Sequence, residues 1–178
     1  ICSPNIVSGT HALSLCLFGV LMPNDKALCI TGTPYDTLQD VIYGQGNGSL
    51  KDYSVDFTCI ELKDNKIDKQ AIKEYFEKNG CPKMVYMQRS RGYAWRDAMS
   101  IADIKDAVDF VKSLGFDGCI MLDNCYGEFL DKQEATEVGV NLMAGSMIKN
   151  PGGGIAPTGG YIAGRKDLIE KCYQLLCK

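Results

Sequence analysis

The chain has 178 residues, 46% of them hydrophobic and 23% charged, an ordinary balance for one globular domain with a sizeable core. Its net charge of −3 and sequence pI near 5.2 argue against nucleic-acid and membrane-surface roles, which need a basic face, while leaving room for a local phosphate pocket. The longest apolar stretch, Ala12 to Met22, is much shorter than a membrane span, and the opening Ile1-Cys-Ser-Pro has neither the charged nor the apolar part of a signal peptide, so a cytoplasmic protein is expected.

Short apolar runs alternate with amphipathic ones along the chain. The first predicted strand, Asn5–Val7, leads into a helix over Thr10–Met22. Strand Ala27–Thr31, helix Thr37–Ile42 and a glycine-rich polar stretch, "GQGNGSLKD" from Gly44 to Asp52, come next. That stretch reads as a mobile loop; its GxGxG pattern does not lie between a strand and a helix, as a dinucleotide fingerprint requires. Strand Asp56–Glu61 precedes helix Asp68–Lys78, and strand Met84–Gln88 precedes helix Ser100–Leu114. Strands Gly118–Asp123, Leu142–Ser146 and Gly159–Ala163 follow, and helix Arg165–Leu176 closes the series. Continuous apolar strands such as "CIMLD" imply burial on both faces. The expected fold is therefore α/β, a three-layer sandwich with a mostly parallel, roughly seven-stranded sheet and right-handed helical crossovers, one domain over residues 1–178.

Nine cysteines are scattered through the chain without a CxxC pair, several inside apolar runs. They read as buried free thiols of a reducing compartment rather than disulfides or metal ligands, and a lone histidine weakens any zinc proposal, so no metal is expected.

In an open α/β sheet, ligands bind beyond the carboxyl ends of the strands. The polar residues there are Ser8-Gly9-Thr10, Thr33-Pro-Tyr35, Gln88-Arg-Ser-Arg91, Asp123-Asn-Cys-Tyr126 and Ser146-Met-Ile-Lys149. Ser8, Gly9 and Thr10 open a helix, where amides and hydroxyls suit a phosphate, although Ser8 as a plain N-cap explains the same residues. Asp123 ends an apolar strand, where a carboxylate needs a cation or strong donors, or else caps its own loop. Lys149 follows another buried strand and precedes Gly152, Gly153 and Gly154. Burial would push its amine toward the neutral, nucleophilic form able to make a Schiff base, with the glycines admitting a ligand close to the backbone; a solvated turn lysine is the plainer reading. Taken jointly, a phosphate nest, a carboxylate and an amine at the ends of separate strands suit one ligand, pyridoxal 5′-phosphate.

The motifs "VSGTHA", "QRSRGYAWR", "DNCYGEF" and "GSMIKNPGGGIAPTGGYIAGR" resemble those of fold-type I pyridoxal-phosphate enzymes, and more narrowly the bacterial family labelled methionine γ-lyase-like or aluminium-resistance protein. The resemblance runs along nearly the whole chain. It implies that Lys149 carries the Schiff base and shuttles the proton, that Asp123 pairs with the pyridinium nitrogen, and that Tyr126 bonds the ring hydroxyl. Ser8, Gly9, Thr10 and Ser146 match phosphate ligands, and Tyr35 matches a ring-stacking aromatic. Where relatives have Asn-Pro, this chain has "QRSRGY", which leaves Gln88, Ser90 and Arg91 open as contacts to the ring oxygen or substrate. The implied activity is a lyase cleaving the C–S bond of a sulfur amino acid. The D-x-x-Y motif keeps an aminotransferase-type reaction open, and a non-catalytic stress-resistance role is the third alternative. Family members are longer, so the chain is expected to be a large-domain fragment, inactive alone, from a homodimer or homotetramer that binds an amino-acid substrate and neither nucleic acid nor membrane.

Overall fold

The computed structural model describes residue 3 and residues 5–150 and 152–177. A six-stranded sheet is sandwiched between two layers of helices. In chain order the elements are α1 (Gly9–Val20), β1 (Lys26–Cys29), α2 (Asp36–Tyr43), β2 (Asp56–Cys59), α3 (Lys69–Asn79), β3 (Met84–Gln88), α4 (Ile101–Ser113), β4 (Cys119–Asp123), a 3-10 turn (Ala135–Val138), β5 (Leu142–Ser146), β6 (Gly160–Gly164) and α5 (Lys166–Leu176). The strand order is β2-β1-β3-β4-β5-β6, with β1 to β5 parallel and β6 antiparallel to β5. β3, β4 and β5 are buried along their whole lengths, which is why they read as unbroken apolar runs.

Alternate strand residues feed two cores. One joins α1, α2 and α5 to Cys29, Tyr86, Met121 and Ala144; the other joins α3 and α4 to Leu28, Val85, Ile120 and Met143. The helices start at side-chain caps. Ser8 accepts the His11 N–H, Asp68 the Ala71 N–H, and Ser100 forms a reciprocal capping box with Asp103.

The sheet has six strands rather than roughly seven. Residues 5–7 lie beside β6, but their carbonyls receive just two backbone amides, those of Gly159 (to Val7 O, 3.2 Å) and Gly160 (to Ile6 O, 3.1 Å), too few to extend the ladder. The loop expected to be mobile is tied down: one carboxylate, Asp52, accepts the N–H groups of Gly46, Asn47, Gly48 and Ser49 at 2.9–3.2 Å. The eight described cysteines are free thiols; Cys16, Cys29, Cys119, Cys125 and Cys172 are buried, Cys59 is half-buried, and Cys81 and Cys177 are exposed. Cys2 lies outside the described residues. Among the described residues no helix is long and apolar enough to cross a membrane, and no three His, Cys, Asp or Glu side chains are grouped as metal ligands.

Candidate functional site

The parallel strands bring their carboxyl ends to one edge. Gln88 and Asp123 are register partners, and Asp123 in turn faces Ala144, two residues before Ser146. The first turn of α1 packs on the end of β5. A Cβ added to Gly9 would sit 3.0 Å from Ser146 Cβ and 3.3 Å from its Cα, so only glycine lets helix and strand approach this closely. The Ser8 side chain caps α1, and the first helical amides, those of Gly9 and Thr10, have no intrahelical acceptor. Thr10 Oγ1 lies 2.9 Å from the hydroxyl of Tyr35, whose backbone N–H donates to Gln88 Oε1 at 3.0 Å. Gln88 Nε2 donates to Ser90 O at 3.1 Å. Thus Ser8, Gly9, Thr10, Ser146, Tyr35 and Gln88 share one corner.

The second corner is charged. Asp123 is 1% exposed and accepts the Cys125 amide at 3.0 Å. Burial pushes its carboxyl above the usual range, against the opposing pull of that amide and of the Lys149 ammonium. The Lys149 amine sits 4.5 Å from the centre of the Tyr126 ring, a cation–π contact. Burial alone would lower the Lys149 pKa, but Cys125, Tyr126 and Asp123 together raise it. Desolvation, the effect that favours a neutral amine, is thus outweighed by the groups around Lys149, the buried Asp123 among them. Burial and the Asp123 charge push the Cys125 thiol up.

The glycines after Lys149 let the chain turn back closely on itself. A Cβ on Gly152 would fall 1.9 Å from Met147 O, one on Gly153 3.0 Å from Lys149 O, and Gly154 has φ +83°. Ser90 and Arg91 border both corners, Ser90 through the Gln88 bond. They line an adjoining cavity of about 360 Å³ with Arg89, Met99, Cys125, Tyr126 and Leu130. Arg91 leans over the exposed Trp95 ring at 5.6 Å.

The reading from sequence missed a buried polar network under the Tyr126 loop. Arg89, 4% exposed, donates to Met99 O (3.2 Å), Asn124 Oδ1 (3.1 Å) and Gly127 O (2.8 Å), and pairs with Asp131. Asn124 Nδ2 donates to the Tyr161 hydroxyl at 3.0 Å, and Tyr161 donates to Glu128 Oε1 at 3.0 Å. Glu128 Oε2 is buried without a partner, and burial raises the Glu128 carboxyl pKa. The available signal was the run of polar residues in "QRSR" and "DNCYGE" directly behind apolar strands.

The fold is a doubly wound sheet with a helix start, a buried carboxylate and a lysine at the carboxyl ends of its strands, and comparison with known proteins places the chain in a family. The profile of the methionine gamma-lyase family matches residues 1–177, and the chain belongs to that family. Uncharacterized protein YnbB of Bacillus subtilis is 48% identical over 173 residues, covering 95% of this chain and 41% of YnbB. A solved Listeria monocytogenes protein, named provisionally as a cystathionine beta-lyase involved in aluminum resistance, superposes with a TM-score of 0.93 at 46% identity over 99% of this chain and 45% of its own. A Clostridium novyi protein, named a carbon-sulfur lyase involved in aluminum resistance, gives 0.91 at 47% identity over 98% and 42%. The chain thus spans less than half the length of these relatives.

Proposed function

We propose that this chain is the cofactor-binding part of a pyridoxal-phosphate-dependent lyase that cleaves the C–S bond of a sulfur amino acid. The observation that carries the reading is the Lys149 amine poised over Tyr126 beside the buried Asp123 carboxylate, at the ligand edge of the sheet. The donor set fits the group. The free amides of α1 with the hydroxyls of Ser8, Thr10 and Ser146 suit a phosphate, Asp123 suits a pyridinium nitrogen, and Lys149 suits an aldehyde. Tyr126 is assigned to the ring hydroxyl and Tyr35 to the ring face. When bound, the group supplies an electron sink. The chain's residues then orient it, and Lys149 Nζ takes the proton from the substrate Cα and returns it. Gln88, Ser90 and Arg91 are assigned to the substrate side. The names of the Listeria and Clostridium relatives support the carbon–sulfur chemistry. Exposed Tyr93, Trp95, Phe129 and Ile155 around the edge support a homo-oligomer, and the protein is assigned to the cytoplasm.

The test uses the full-length protein. Borohydride reduction should fix the cofactor covalently on the Lys149 peptide, and Lys149→Ala should lose both that mass and the cofactor's absorbance. Label on another lysine would overturn the site. With cystathionine, methionine or cysteine, thiol and keto acid should accumulate without an added keto-acid acceptor, and the Lys149→Ala rate should fall about 10³-fold or more. Silence on all three substrates would sink the lyase; turnover only with an acceptor would establish a transaminase instead.

A further inference from the structure

Away from the proposed site, Cys29 on β1 and Cys59 on β2 are direct register partners on adjacent parallel strands. Paired residues on neighbouring strands stand about 4.8 Å apart and project from the same face, inside the Cα separation that a disulfide spans. Both thiols face the α1–α2 layer, where Cys29 is fully buried and Cys59 packs at the margin, half-buried. The Cys59 sulfur lies 3.3 Å from the hydroxyl of Tyr43, which is also 3.2 Å from Phe57 O. The Cys29 thiol donates to the Gly32 carbonyl at 3.0 Å. Cys59 lies on β2, an edge strand of the sheet, and Cys29 on β1 behind it, so an oxidant reaches Cys59 first. The other close thiol pair, Cys16 with Cys172, is buried on both sides and lacks such access.

We propose that Cys59 and Cys29 form a peroxide-reactive modification site, Cys59 attacking and Cys29 resolving. The Cys59 thiolate sulfur attacks one oxygen of a hydroperoxide. The S–O bond forms as the O–O bond breaks, and the departing oxygen leaves as water or alcohol after taking a proton. The Cys29 sulfur then attacks the Cys59 sulfur; the S–S bond forms, and the hydroxyl leaves as water with the Cys29 proton. Two thiols lose two electrons in all, and the peroxide gains them. Where the Cys29 thiol and the Tyr43 hydroxyl turn their single protons from Gly32 O and Phe57 O to the Cys59 sulfur, they bring Cys59 down to about 7 against the opposing effects of burial and the Glu61 charge. Tyr43 comes from α2, Cys29 from β1 and Glu61 from just beyond β2. Cys29 Sγ is 3.6 Å from Thr31 Oγ1, which accepts the Gln88 N–H at 2.8 Å, so the disulfide would form two contacts from the strand end that carries Gln88.

Limited hydrogen peroxide, alkylation of the remaining thiols and peptide mapping of the intact protein test this. The expected product is a peptide linking Cys29 to Cys59, short of two hydrogens and reversed by dithiothreitol. In Cys29→Ser the link is lost and Cys59 is trapped by dimedone as the sulfenic acid. In Cys59→Ser the Cys29 peptide stays unoxidised. The wild-type map decides the matter even if a variant folds poorly. Cys59 still fully alkylated after Cys81 and Cys177 have oxidised, or Cys59 oxidised without the link to Cys29, would overturn the proposal.

Discussion

At the α1 corner, Gly9, Ser146, Thr10 and Tyr35 are fixed by backbone contact and uncharged hydrogen bonds; at the β4–β5 corner, Asp123, Cys125 and Lys149 are held by charge in a buried setting. The first corner depends on shape, so its sensitivity is steric and nearly independent of pH. The second depends on desolvated groups whose protonation each neighbour changes, so its sensitivity follows pH. Beneath the second corner lies a further charged layer, Arg89 with Asn124 and Asp131, that holds the loop rather than a ligand.

The comparison breaks hardest at Arg89. Arg89→Met leaves the Asn124 and Gly127 oxygens and Asp131 without their donor, and a loss of about 3 kcal/mol is expected in urea unfolding. Gly9→Ala tests the steric corner: its new Cβ meets Ser146, so a stability loss of about 1–3 kcal/mol and weaker phosphate binding by titration calorimetry should appear together, alike at acid and neutral pH. Asp123→Asn sharpens the electrostatic corner. Burial raises the folded Asp123 pKa above its unfolded value, so the folded carboxyl holds its proton longer. Stability then falls as pH rises from the ordinary carboxylate value to the raised one. The asparagine variant, measured against wild type without cofactor, should gain relative stability on going from about pH 4 to about pH 7; an unchanged difference would refute the buried-charge account. The smallest effect is expected for Tyr35→Phe, which removes the 2.9 Å bond to Thr10 and should cost about 1 kcal/mol in thermal unfolding.

Much of the frame was legible where local physics decides it. β3 and β5 occupy the predicted residues because each is an apolar run bounded by turn chemistry. Asp68 and Ser100 are the caps their residue types suggest. The expected strand to Glu61 stops at Cys59; beyond it the Glu61 carboxylate accepts the Thr33 N–H and hydroxyl, both at 3.0 Å. Asp123 and Lys149 stood out because a charge directly behind an apolar strand is costly without a partner. Arg89, Asn124, Glu128 and Tyr161 did not, because their partners lie 33 to 42 residues away and no local rule joins them. The sign of the Lys149 shift was unreadable for the same reason: it depends on which groups the fold sets around the amine.

Tyr126 has φ +67°, a left-handed backbone that a bulky residue seldom adopts, and Arg89 clamps the neighbouring Gly127 carbonyl from below. Under the proposed function, a ligand at this edge would meet an aromatic ring whose backbone the Arg89 clamp already holds, and its docking would need little rearrangement of the main chain.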